Sequence, residues 1–145
     1  MKNILKTSAL IFLFLTFSCS AQQQMVQTTK DAFKLKENEQ HFINKPLKYL
    51  LKEIKPEIKL GYANNDEGHS YFGFKFTTLL ERKKNEKSND REDRVSLYVY
   101  VKEAPIDWDF DKRPKGKEYE WTKKDIEKYG NLTVIRIKVI QPIED

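Results

Sequence analysis

Residues 44–54 read NKPLKYLLKEI, and their apolar side chains fall at Leu47, Leu50, Leu51 and Ile54. That is the i, i+3, i+4, i+7 spacing of one helical stripe, so the stretch predicts an amphipathic helix with Lys45, Lys48, Lys52 and Glu53 toward water. Asn44 is placed to accept a hydrogen bond from a first-turn N–H, Pro46 is tolerated in the first turn, and Pro56 disfavours helical geometry at Lys55. A helix this short is marginal in water, so its stripe demands a partner surface.

Period-two alternation downstream supplies one. Ile58, Leu60 and Tyr62 alternate with Glu57, Lys59 and Gly61, and the NNDEG cluster at 64–68 reads as a turn. Phe72, Phe74, Phe76, Thr78 and Leu80 then share one face, opposite Tyr71, Gly73, Lys75, Thr77 and Leu79. Val95, Leu97, Val99 and Val101 alternate with Ser96, Tyr98, Tyr100 and Lys102, the clearest strand signal in the chain. Ile135, Ile137 and Val139 alternate with Val134, Arg136 and Lys138 as a last strand. Before it a short helix is expected, with Thr122 and Asp125 as a capping box, Trp121 and Ile126 as a hydrophobic staple, and Gly130 at a left-handed C′ position. The fold class read from this order is α+β, one amphipathic helix packed on a four-stranded antiparallel sheet, with a second short helix before the last strand. At fold level only, the order resembles cystatin-like or inhibitor-like α+β rolls.

The chain has 145 residues, which suits a single domain. Residues 1–21 read as a leader: Lys2 and Lys6 precede an apolar run over 10–17, then small residues at Ser18, Cys19, Ser20 and Ala21. The run is too short to span a bilayer. The segment LTFSC resembles a bacterial lipoprotein leader, in which the cysteine is acylated and becomes the mature N-terminus. Thr16 departs from the strict pattern, which has an aliphatic residue there, and ordinary cleavage after Ala21 is the other reading. Residues 22–38 read as a polar tether and 39–145 as the domain. With Cys19 the single cysteine, no disulfide can staple that domain. Loss of Lys2 and Lys6 takes the formal charge from +5 to +3, and 34% of residues are charged, with both signs interspersed. A nucleic-acid partner is therefore not expected, and a membrane is expected only through a lipid on Cys19. Between Glu81 and Arg94, six basic and five acidic residues nearly cancel, which reads as a solvated hairpin tip.

Few residues carry catalytic chemistry. His41 and His69 stand in unrelated contexts, no GxSxG, HExxH or phosphate-cradling glycine loop occurs, and no cofactor is expected. Asp107, Asp109, Asp111 and Glu118 are spaced like positions 1, 3, 5 and 12 of a calcium loop, but Lys112 stands where that loop needs glycine. The expected alternative is a surface loop with Trp108 and Phe110 packed down. The best site is the outer sheet face: if the valines of the third strand point inward, Tyr98 and Tyr100 point out, joined by Tyr71, Lys75, Arg136 and Lys138. These features favour a non-catalytic exported envelope domain that binds a protein or a cell-surface polymer. Alternatives are an inhibitor or immunity protein for an exported hydrolase, and a small hydrolase that uses carboxylates.

Overall fold

In the computed structural model, residues 22–66, 68–85 and 94–141 are described. The leader, Cys19 and the middle of the charged stretch lie outside them. Four strands, β1 (Leu60–Asp66), β2 (His69–Lys75), β3 (Ser96–Val101) and β4 (Val134–Ile140), form one antiparallel sheet in the order β1-β2-β3-β4. Among the described residues four short α-helices accompany it: α1 (Phe33–Glu37), α2 (Leu47–Lys52), α3 (Leu79–Asn85) and α4 (Lys123–Tyr129). The chain is thus α+β, as its periodicities imply. None of the described helices is long and apolar enough to cross a membrane.

One face of the sheet carries the core. Phe72 and Phe74 from β2, Leu97, Val99 and Val101 from β3, and Val134 and Ile137 from β4 are buried together with Leu47, Leu50 and Ile54 of the amphipathic stripe. The helix itself is shorter than expected, and Asn44 is not its cap. Asn44 takes a left-handed φ of 63°, and Pro46 holds the N-cap place. The reason is a neighbouring segment: the N–H groups of Asn44, Leu47 and Lys48 donate to the carbonyls of Val134, Leu132 and Gly130, each at 2.8 Å. These bonds satisfy donors that a side-chain cap would otherwise have to reach.

The stretch read as a tether is folded. Val26, Ala32 and Leu35 are fully buried, and Val26 bonds the 53–55 backbone on both its N–H and its carbonyl (2.9 Å each). Asp31 accepts from the N–H of Thr28 (2.9 Å) and starts a 3-10 turn that runs into α1. These pieces are too short for a helical period to show in sequence. Phe33, in contrast to Leu35, remains exposed.

Three strand readings are corrected by neighbours. In β1 the core-facing residues are Gly61 and Ala63, opposite Phe74 and Phe72, so Leu60 and Tyr62 face outward. A Cβ on Gly61 would sit 2.7 Å from the Trp121 ring, which occupies the core space that a β1 side chain would otherwise fill. In β4 the pairing shifts between Tyr100↔Arg136 and Val101↔Val134, so Ile135 is the extra residue of a bulge. Val134 thereby turns inward and Ile135 outward, reversing the simple alternation. Strand β2 ends at Lys75, and Leu79 and Leu80 lie 55% and 66% exposed on α3. The N–H of Thr78 donates to Glu81 Oε2 (2.6 Å) and that of Glu81 to Thr78 Oγ1 (3.1 Å), a capping box that begins a helix where strand was expected.

Before β4, the expected capping box of α4 is present: the Thr122 N–H and hydroxyl both donate to Asp125 Oδ2 at 2.8 Å. Ile126, the outer member of the expected staple, is exposed. Gly130 is right-handed (φ −61°) rather than left-handed. Its need is space, since a Cβ there would lie 3.2 Å from Lys48 Cβ where the two helices meet.

Candidate recognition surface

The strand register brings all six residues predicted for the outer face onto it. One row across the sheet runs Asn64, Tyr71, Tyr100, Arg136; the next runs Tyr62, Gly73, Tyr98, Lys138; the third runs Leu60, Lys75, Ser96, Ile140. Tyr71, Tyr98, Tyr100 and Lys75 are half-buried, Arg136 and Lys138 exposed. Gly73 and Ser96 are buried. Gly73 is covered by Tyr62, because a Cβ on Gly73 would meet Tyr62 Cε1 at 2.6 Å.

The tyrosines form one cluster. Tyr71 meets Tyr98 edge-on at 5.9 Å and Tyr100 tilted at 5.1 Å, and Asn64 Nδ2 donates to the Tyr71 hydroxyl (2.9 Å). Cations lie over the rings, Arg136 5.3 Å from the Tyr100 centroid and Lys75 Nζ 5.6 Å from that of Tyr98. Lys75 also donates to Ser96 Oγ. Burial, and then donation to Tyr98, push the Tyr62 hydroxyl above its ordinary range. Burial alone would raise Tyr98 too, but the Tyr62 hydroxyl and the Lys75 ammonium outweigh it and bring Tyr98 below the usual value. Burial lowers Lys75, and Arg82 of α3 pushes in the same direction.

Sequence alternation alone does not bring Tyr62, Asn64 and Arg82 to this face, since Tyr62 alternates in phase with Ile58 and Leu60, Asn64 lies in a turn-like cluster and Arg82 in a highly charged stretch. The TLLE pattern at 78–81 was the available signal for the helix that brings Arg82 near Lys75.

The four calcium-spaced residues do not converge. Asp109 is ion-paired with Lys112 (2.9 Å) and Lys128, which hold its carboxyl well below the usual range. Glu118 accepts the Gly116 N–H (2.9 Å), and Asp111 is exposed on a 3-10 turn. Among the described residues no group of three or more His, Cys, Asp or Glu side chains gathers. Trp108 packs down as expected, whereas Phe110 stays exposed and pairs with Tyr119 at 5.4 Å. Trp108, Trp121 and Tyr129 stack on one another on the core side and meet Phe72 edge-on or tilted. Arg113 closes that stack, 3.7 Å from the Trp108 centroid and ion-paired with buried Asp125.

A second exposed feature borders the first. An open groove of about 700 Å³ runs between Leu79 and Leu80 of α3 and residues 116–121, starting at Ile58 and Leu60. Its rim mixes signs, with Glu57 and Glu118 beside Lys83 and Lys117.

Comparison of the chain with protein-family models, with curated proteins and with solved structures returned no match. The functional reading therefore rests on this geometry alone.

Proposed function

We propose that the chain is a non-catalytic binding module of the cell envelope, exported by its leader and recognising a protein or a cell-surface polymer through the outer sheet face. The observation that carries this reading is the gathering of Tyr62, Tyr71, Tyr98 and Tyr100 with Lys75, Arg136 and Lys138 on one face that the described residues leave partly exposed, while the opposite face carries the core. Tyrosine and arginine on a rigid sheet give large contact area at small entropic cost, which is why they anchor interfaces. The carboxylate-hydrolase alternative draws no support from the described residues. Asp125, the buried carboxylate among them, is committed to capping α4 and pairing Arg113.

Pull-down from envelope extract tests the reading, with the wild-type chain beside Tyr71→Ser/Tyr100→Ser. Anchors of this type contribute about 2 kcal/mol or more apiece, so the variant should lose the captured partner while remaining folded. Retention of the partner by a folded variant moves the site off this face. For the leader, mature protein should partition into detergent, and Cys19→Ser should release it to the soluble fraction. An unmodified N-terminus at Gln22 in intact-mass data would sink acylation.

A further inference from the structure

The face has a charge pattern that its opposite lacks. Its three rows include Lys75, Arg136 and Lys138 and no aspartate or glutamate, and Asp66, opposite His69 at the turn end of β1 and β2, is the acidic register position beyond them, separated from β4 by two strands. Arg82 of α3 adds a fourth cation beside Lys75. No described carboxylate pairs with any of the four. Glu39, whose charge reaches Arg136, is already occupied by Lys36 Nζ and by the N–H of Ile137, each at 2.6 Å. Lys75 is the most telling of them, because a half-buried ammonium held by the Ser96 hydroxyl and by the hydroxyl and ring of Tyr98, with no described carboxylate paired to it, is under-compensated for its lost water.

The ring faces discriminate among anionic ligands. Arg136 lies over Tyr100 and Lys75 over Tyr98, and Tyr71 is engaged by both tyrosines. A base or a sugar that needs an open aromatic face to stack on must displace a cation first. A ligand that pairs with the cations need not. Arg136 and Lys138 are two residues apart on one strand, about 6.6 Å along the sheet, which is the repeat at which an extended peptide presents alternate side chains on one side. A second copy of the chain would set cations against cations.

Resting on the reading of this face as the recognition surface, we propose that its partner is an acidic protein segment in extended conformation. Alternate carboxylates of that segment pair with Arg136 and Lys138 along β4, and another carboxylate completes the Lys75–Arg82 corner.

The full chain is titrated with a decapeptide of alternating glutamate and serine, with its glutamine counterpart, with a ten-residue oligothymidylate and with polygalacturonate. The glutamate peptide should bind, and raising salt from about 20 to about 200 mM should weaken it roughly tenfold, since the pairs are near the surface. Arg136→Gln/Lys138→Gln should weaken it by at least about tenfold, whereas Lys124→Gln on α4 should leave it unchanged. Equal binding of the glutamine peptide, tighter binding of the oligonucleotide or the polysaccharide, or an unaffected double variant overturns the proposal. Failure here and failure of the broader reading are separable. Envelope capture that is lost in Tyr71→Ser/Tyr100→Ser but kept in Arg136→Gln/Lys138→Gln leaves the face as a recognition surface and removes the acidic partner. Capture kept in both variants removes the face itself.

Discussion

The two faces of the sheet each carry an aromatic cluster with an arginine over one ring, and they are finished differently. On the inner face Arg113 sits over Trp108, donates to the carbonyls of Trp108 (3.2 Å) and Glu120 (3.1 Å), and pairs with Asp125, the two side chains being only 13% and 7% exposed. On the outer face Arg136 sits over Tyr100, and no carboxylate among the described residues is ion-paired with it. The inner cluster is closed, with its charge neutralised and the Arg113 hydrogen bonds directed at its own chain, although the indole N–H groups of Trp108 and Trp121 are buried without a partner among the described residues. The outer cluster holds the same kinds of contact with its charge left over. Uncompensated charge beside half-buried aromatics is what a surface retains when its partner is another molecule.

Truncation should separate the faces most sharply. Trp121→Ala removes the ring that lies on Gly61 and against Phe72 and Phe74, and should cost about 3–5 kcal/mol in denaturant melts. Asp125→Ala should come next at about 3 kcal/mol, since it strands Arg113 in a nearly closed site and removes the α4 cap. Equal losses from Trp121→Ala and Tyr100→Ser would show that the outer cluster is a second core, and the comparison would fail.

Where a strand's own residues decide its orientation, the sequence was sufficient. Val95, Leu97, Val99 and Val101 are all buried, and the outward direction of Tyr98 and Tyr100 follows from that. The orientation of β1 was illegible because the space above Gly61 is filled by Trp121, some sixty positions downstream by number. In β4 the bulge at Ile135 reverses the side chains at one end of the strand while leaving Ile137 inward and Lys138 outward. Hence Arg136 and Lys138 were placed correctly although Val134 and Ile135 were not. The 22–38 stretch is hard to read for another reason: its few apolar residues, Met25, Val26, Ala32, Phe33 and Leu35, form no sustained period, and only their neighbours in space show Val26, Ala32 and Leu35 to be core.

Gly73→Ala probes the outer face from within. The new methyl must displace the Tyr62 ring, so the change should cost about 1–2 kcal/mol and weaken partner binding in the same variant. If stability falls while binding is untouched, Tyr62 lies outside the recognition surface. Tyr100→Ser should cost less, about 1 kcal/mol or under, because its ring is half-exposed.

The smallest expected effect compares two lysines. Lys59 pairs with Glu81 at 2.9 Å, whereas Lys75, beside the same helix, has no acidic partner among the described residues. The Lys59 ammonium, then the Thr78 N–H, hold the Glu81 carboxyl at about 2, below its ordinary 4.5. A depressed folded value means that the unfolded chain takes up the proton more readily, so the contribution is fully present above about pH 4.5 and is lost as pH falls toward about 2. Because both partners reach solvent, the effect should be a shallow slope of melting temperature across that window. Glu81→Gln keeps an acceptor for the Thr78 N–H but removes the charge, and should flatten the slope slightly relative to wild type. Lys75→Gln should leave the slope as it is, since no carboxylate loses a partner. A steeper loss in acid for Lys75→Gln than for Glu81→Gln would reveal an acidic partner for Lys75 within the chain, and the contrast between a closed inner cluster and an open outer one would collapse at that corner.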